Sequence, residues 1–119
     1  MSKPNNANSK KILCICAGGA SRSVGIRNTL AWAHGHDAIN LGFQGNSPET
    51  LKMLSDWAEV IVLAREKFRS VIDSDNQSKV RVCELGRDSY FTPHKELYDK
   101  CAEWVNSQED LRLSKVASS

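Results

Sequence analysis

The chain has 119 residues, of which 40% are hydrophobic and 25% charged, and its formal net charge is +2. This length and composition predict one globular domain with a single modest core. The nearly neutral charge, with basic residues scattered among acidic ones, argues against a nucleic-acid-binding surface. No stretch is apolar for long enough to span a bilayer. We therefore expect neither nucleic acid nor a membrane as a partner.

The N-terminal residues 1–9 are polar and are predicted to form a disordered leader. They lack the apolar segment of a secretory signal, so we expect a cytoplasmic location. In a reducing compartment, cysteines are free thiols rather than disulfides. The four cysteines to which this applies are Cys14, Cys16, Cys83 and Cys101. Their spacing does not suit zinc, and we expect no metal or organic cofactor.

Hydrophobic patterns along the chain predict strands that alternate with helices. Short apolar or β-branched runs predict four strands, at residues 12–16, 37–42, 59–64 and 79–85. Helical patterns occupy residues 23–34, the segment that begins with Ser47 as cap and Pro48 in the first turn, residues 65–72 and residues 94–107. This alternation predicts an α/β three-layer sandwich with a four-stranded parallel sheet. The predicted domain covers residues 10–110, and residues 111–119 are predicted to form a flexible tail.

The carboxyl ends of the strands are the predicted position of the functional site. In parallel sheets, ligands bind beyond these ends. Four connecting segments should therefore surround one crevice: residues 16–23, 42–47, 64–66 and 85–91.

The most informative segment is CAGGASRS, which runs from Cys16 to Ser23, follows the first strand and opens the first helix. Its small residues allow the backbone to curl so that successive N–H groups face an anion. These residues are Ala17, Gly18, Gly19, Ala20 and Ser21. The Arg22 guanidinium can hold two phosphate oxygens at once. Such a positive environment favours a thiolate, so Cys16 is the predicted nucleophile of a phosphate-binding loop.

The spacing of Cys16, five residues, Arg22 and then Ser23 after a first strand resembles the phosphate loop of low-molecular-weight protein tyrosine phosphatases. The resemblance implies that the Cys16 thiolate attacks phosphorus, that Arg22 clamps the phosphate and that the Ser23 hydroxyl supports the thiolate. Residues 48–64, which end in WAEVIVLA, are similar to a helix-then-strand segment of the same family. The resemblance extends over roughly residues 10–107.

A second motif, Asp88-Ser89-Tyr90-Phe91, resembles the acid loop of these phosphatases. The resemblance implies that Asp88 protonates the leaving oxygen and then activates water, while Tyr90 and Phe91 flank the substrate ring. The implied activity is hydrolysis of phosphomonoesters, with phosphotyrosine as the favoured class, through a phosphocysteine intermediate. The implied partner is a phosphorylated protein or a small aryl phosphate, and the oligomeric state is left open.

The chain departs from the family at two positions of the first loop. Typical members have asparagine where Gly19 stands and a second cysteine where Ser21 stands. That second cysteine forms a protective disulfide in the family, a role for which Cys14 is the available substitute. Elsewhere the predictions are structural: His34 and His36 mark a helix end, and residues 65–69 form a solvated helix face.

Three other functions are compatible with the motifs. Phosphocysteine carriers that resemble the B components of sugar phosphotransferase systems also place a cysteine after the first strand, but their loops generally lack the arginine found at Arg22. A non-catalytic phosphate-binding module would fit the departure at Gly19. A thiol-dependent arsenate reductase needs a relay of accessible cysteines, whereas Cys83 and Cys101 fall in a predicted strand and on a buried helical stripe.

Overall fold

The computed structural model describes residues 9–18, 22–85 and 95–112. Its strands are β1 (Lys11–Cys16), β2 (Asp37–Gly42), β3 (Val60–Leu63) and β4 (Val80–Val82). Its α-helices are α1 (Arg22–Asn28), α2 (Pro48–Trp57) and α3 (Lys95–Asn106). The strands form one parallel sheet in the order β2-β1-β3-β4, with helices on both sides. The predicted α/β sandwich with a four-stranded parallel sheet is confirmed.

Strand β1 lies in the interior of the sheet, between β2 and β3. Its residues from Ile12 to Cys16 are all fully buried, as expected for an apolar run covered on both faces. Ile15 pairs with Leu41 of β2 on one side and with Leu63 of β3 on the other. Cys16 pairs with Gly42, so the predicted nucleophile stands at the last position of the strand.

Helix α1 continues as a π-helical segment, Thr29–Ala33. The Thr29 hydroxyl donates a hydrogen bond to the Gly25 carbonyl oxygen at 2.9 Å. A Cβ on Gly25 would lie 3.0 Å from two Leu97 carbons, so glycine at this position lets α1 pack closely against α3. The helical segment ends as the sequence predicts, because Gly35 adopts a φ of +75°.

Helix α2 begins as its sequence predicts. The Ser47 hydroxyl caps it by accepting a hydrogen bond from the Thr50 N–H at 3.1 Å, and Pro48 occupies the first turn. Leu51, Leu54 and Trp57 of this helix pack against the buried core. Trp104 of α3 packs against the core as well, whereas Trp32 of the π-helical segment is 66% exposed.

The region between β3 and β4 differs from the prediction. The segment expected to be a helix over residues 65–72 is a 3-10 helix, Glu66–Val71. The segment that follows, for which the sequence predicts no helix, is also a 3-10 helix, Ser74–Lys79. The Gln77 side-chain amide donates to the carbonyl oxygens of Arg69 and Ile72, both at 2.8 Å. A residue of the second segment thus satisfies the last carbonyls of the first, and Ile72 adopts an extended backbone instead of another helical turn.

Strand β4 is shorter than the predicted 79–85, but its pairing with β3 continues beyond Val82. The Cys83 N–H donates to the Leu63 carbonyl oxygen and the Leu85 N–H to the Ala64 carbonyl oxygen, each at 2.8 Å. The chain is therefore held at the carboxyl edge of the sheet up to residue 85.

The C-terminal boundary of the domain also needs a correction. Leu111, assigned to the tail from sequence, is fully buried in the core. Its carbonyl oxygen lies 2.8 Å from Nε2 of the buried His36. The folded domain therefore includes Leu111, because an apolar side chain there fills the core beside β2. None of the helices in the described ranges is both long enough and apolar enough to cross a membrane.

Candidate active site

The loops that follow β1, β2 and β3 meet at the carboxyl edge of the sheet. The strand order reverses around β1, since the chain passes from β1 to β2 on one side and then to β3 on the other. Open parallel sheets bind ligands at such a switch point. Cys16 ends β1 here, and the Gln44 N–H that follows β2 donates to the Ala17 carbonyl oxygen at 3.0 Å.

The Cys16 thiol lies against the Ser23 hydroxyl. The Cys16 Sγ to Ser23 Oγ distance is 3.2 Å, and both side chains are fully buried. In the thiol form the S–H donates to the hydroxyl oxygen; in the thiolate form the hydroxyl can donate to sulfur. The pair can therefore stabilise a negative charge on sulfur without a further rearrangement, which is what an attacking or departing thiolate requires.

Arg22, the first residue of α1, is a buried cation, only 3% exposed. Its Cζ lies 5.5 Å from the centroid of the Phe68 ring, over the ring face. Phe68 in turn packs edge to face on Phe43, with 5.0 Å between ring centroids. Contacts of this kind stabilise a guanidinium by about 0.5–2 kcal/mol and fix the plane of its donors.

The remaining predicted loop residues are only partly described. Ala17 is half-buried, and Gly18 is exposed, with no atom within 4 Å of a Cβ placed there. Space alone therefore does not require glycine at position 18. Three further loop residues of the predicted cradle lie outside the described residues: Gly19, Ala20 and Ser21.

The acid-loop residues Asp88, Tyr90 and Phe91 also lie outside the described residues. The chain enters this segment from Leu85, whose N–H is bonded to the Ala64 carbonyl oxygen just beyond β3. The segment therefore starts at the same edge of the sheet as Cys16.

A cavity of about 340 Å³ opens beside Arg22. Its walls include Phe43 and Gln44 after β2 and Arg65 and Phe68 after β3. The sequence predicts residues 65–69 to be a solvated helix face, which is wrong for Phe68, because this ring is only 3% exposed. The strand-end rule, with its ranges 42–47 and 64–66, includes Phe43, Gln44 and Arg65, but Phe68 lies beyond these ranges.

The other three cysteines occupy the protein interior. Cys14 faces the same side of β1 as Cys16, and burial raises the pKa of its thiol above its usual range. The Cys83 thiol is hydrogen-bonded to Cys101, and this bond, together with burial, raises its pKa above its usual range as well. Neutral thiols in the core are poor partners for thiol exchange, so the arrangement argues against a cysteine relay.

Taken together, the parallel sheet, the strand-end cysteine and the buried arginine define an α/β fold of the type found in low-molecular-weight tyrosine phosphatases. No protein-family model matches the sequence, and no curated protein matches it significantly. Among solved structures, the chain is similar to Vibrio vulnificus Wzb in complex with benzylphosphonate, with a TM-score of 0.60. Sequence identity is 12%, and the match covers 84% of this chain and 97% of that chain. Wzb is a low-molecular-weight tyrosine phosphatase, so the resemblance predicted from sequence is confirmed at the level of the fold.

Proposed function

We propose that the protein is a cysteine-dependent phosphomonoester phosphatase that favours phosphotyrosine or another aryl phosphate. The observation that carries this proposal is the 3.2 Å contact between Cys16 Sγ and Ser23 Oγ, at a strand end next to the buried Arg22. A thiol, a hydroxyl and a fork of cationic donors at one edge of a parallel sheet suit phosphoryl transfer, which depends mainly on positioning and charge stabilisation. The fold shared with a phosphatase adds support.

The proposed reaction has two steps. In the first, the Cys16 thiolate attacks phosphorus in line, an S–P bond forms and the bond from phosphorus to the leaving oxygen breaks. Arg22 and the backbone N–H groups of residues 17–22 hold the phosphoryl oxygens, and Asp88 gives its proton to the leaving oxygen. The rings of Tyr90 and Phe91 flank the aryl group.

In the second step, Asp88 accepts a proton from water as the water oxygen attacks phosphorus. The S–P bond breaks, inorganic phosphate leaves, and the Ser23 hydroxyl donates to the departing sulfur. The chain supplies every group in this scheme. The nucleophile must be reduced, which is consistent with action in the cytoplasm.

The test is release of inorganic phosphate from 4-nitrophenyl phosphate by the wild type and by Cys16→Ser, with Cys14→Ala as the matched control on the same strand. We expect Cys16→Ser to lower turnover by on the order of 10⁴-fold or more, as when an activated nucleophile is removed. Cys14→Ala should retain turnover. Wild-type turnover by Cys16→Ser would contradict the proposal.

Asp88→Asn tests the proton donor separately. Loss of a general acid should lower turnover by roughly 10²–10⁴-fold. Acid-quenched wild-type protein should contain phosphocysteine while phosphate accumulates in solution. Phosphocysteine that forms once without release of phosphate would instead indicate a carrier, and binding of benzylphosphonate without turnover would indicate a non-catalytic module.

A further inference from the structure

The cavity beside Arg22 contains more positive charge than one phosphate group requires. Arg22, Arg65 and Lys67 all line it. Among the residues that the structure describes, its lining contains no aspartate or glutamate. At about 340 Å³ it lies at the small end of the range for organic ligand sites, roughly 300–1,000 Å³.

Arg65 is only weakly neutralised by its nearest acid. Its Nε lies 3.7 Å from Glu84 Oε2, beyond hydrogen-bonding distance. The other carboxylate oxygen, Oε1, accepts a hydrogen bond from the Glu66 N–H at 2.9 Å. Arg65 Nε is buried, and the described part of the chain offers it no hydrogen-bond acceptor. A buried donor of this kind is stabilised when a ligand supplies the acceptor.

The 3-10 helix that follows Arg65 contains a second arginine, Arg69, which is paired with an acid. Arg69 donates from Nε to Glu66 Oε2 at 2.6 Å and from Nη2 to Glu66 Oε1 at 3.1 Å. Arg69 does not line the cavity. Within one short segment, the arginine outside the cavity has a bidentate acidic partner and the arginine at the cavity does not.

The cavity also has an apolar part. Phe43 and Phe68 form its aromatic wall, and Phe68 carries Arg22 on its face. Lys67, two residues after Arg65, adds an exposed positive charge to the lining. A ligand with an aromatic ring and two anionic groups would match these rings and cations.

We propose that Arg65 and Lys67 form a second anion subsite, so that the substrate is an aryl phosphate with a further anionic group near its ring. This inference rests on the proposed function, in which Arg22 holds the phosphate that is cleaved. The second anion is a carboxylate or a phosphate, carried either by a small aryl phosphate or by an acidic residue beside a phosphotyrosine.

The test compares two substrates of nearly the same shape, the charged 4-carboxyphenyl phosphate and its neutral amide, 4-carbamoylphenyl phosphate, whose phenol is the slightly better leaving group. We expect the wild type to prefer the acid by about tenfold in kcat/KM, the effect of one charge-assisted hydrogen bond. The preference should fall towards unity in Arg65→Gln and decrease in part in Lys67→Gln. Arg69→Gln, which removes a charge from the same segment outside the cavity, should retain the wild-type preference.

A peptide pair distinguishes the two sources of the second anion. Phosphotyrosyl peptides with glutamate or glutamine next to the phosphotyrosine are compared in the same variants. An acid preference with peptides indicates a protein substrate, and a preference confined to the small pair indicates a small molecule. Equal rates for acid and amide in both pairs would overturn the subsite, as would an unchanged preference in Arg65→Gln.

Failure of the proposed function is recognised separately, because wild-type protein would then release phosphate from neither member of a pair. The subsite is then tested by titration calorimetry with 4-carboxybenzylphosphonate and its amide on the wild type and Arg65→Gln. Tighter binding of the acid by the wild type alone supports the subsite, and equal binding of both compounds by the wild type rejects it.

Discussion

The amino edge of the sheet, where its parallel strands begin, and the carboxyl edge, where they end, differ in the surroundings of their polar groups. At the amino edge, the Lys10 N–H donates to His36 Nδ1 at 3.0 Å, and His36 Nε2 lies 2.8 Å from the Leu111 carbonyl oxygen. The Lys11 N–H donates to Glu59 Oε1 at 2.8 Å. These contacts connect chain segments that are distant in sequence.

At the carboxyl edge, charged side chains face a cavity. Arg22 and Arg65 line it, while Cys16 and Ser23 contact each other at the end of β1. Contacts at the amino edge join distant parts of the chain and stabilise the fold, whereas the cavity at the carboxyl edge is where the proposed function would place a ligand. Substitutions at the two edges should therefore separate stability from activity.

The largest effect is expected at the amino edge, from Leu111→Ala. Removing a fully buried leucine side chain leaves a cavity and should lower the free energy of unfolding by about 2–5 kcal/mol. Phosphate release per folded molecule should stay at the wild-type rate. Met53→Ala, at a position 61% exposed, is the control for urea denaturation and should cost less than about 0.5 kcal/mol. Equal unfolding free energies for the two variants would place residue 111 outside the core.

A smaller effect, on turnover instead of on the free energy of unfolding, is expected from Ser23→Ala. The thiolate would lose the hydroxyl at 3.2 Å, and hydrogen bonds to charged groups are worth about 1.5–3 kcal/mol, so turnover should fall roughly 10- to 100-fold. Thr29→Val removes a buried hydroxyl farther along the same helical segment and is the kinetic control. A comparable loss of turnover in both variants would point to a general disturbance of the helix instead.

The smallest effect concerns pH. His36 Nδ1 accepts from the Lys10 N–H, so its Nε2 carries the proton and donates to the Leu111 carbonyl oxygen, which is the neutral form of the ring. Burial lowers the pKa of His36 from its usual 6.5. The unfolded chain then binds the proton more readily, and stability present above about pH 6.5 is lost as the pH falls.

The expected slope is at most about 1.4 kcal/mol of unfolding free energy per pH unit, the limit for a single proton. Urea denaturation between pH 7.5 and 5 measures it. The slope should decrease in His36→Gln and persist in His34→Gln. An identical slope in the wild type and in His36→Gln would show that another group is responsible.

The sequence predicts the fold well where local patterns and burial agree. The strands from Lys11 and Asp37, the cap at Ser47 and the stop at Gly35 all follow from residue types that tertiary contacts reinforce. The failures lie between β3 and β4, where the 3-10 segments depend on the Gln77 side chain reaching back to earlier carbonyls. Such a contact has no periodic signature.

The candidate site shows the same limit. The loop motif predicts Cys16, Arg22 and Ser23 as site residues, because all three lie within eight consecutive residues and their spacing can be read from the sequence. Arg65 and Phe68 reach the cavity only because β3 lies next to β1 in the sheet. In sequence, both look like members of a charged surface helix. That Arg65 Nε is buried without a hydrogen-bond acceptor among the described residues becomes visible only when the neighbouring strands are in place.

The interior position of β1 has a consequence for biosynthesis. Ile12 pairs with Val60, so the strand that ends at Cys16 is flanked on both sides only after β3 has left the ribosome. Until then, a nascent chain exposes an apolar strand with one unpaired edge, a state prone to association with other chains. The segment that contains Cys16 is therefore made early and completed late, and truncations that end before β3 should accumulate as aggregates.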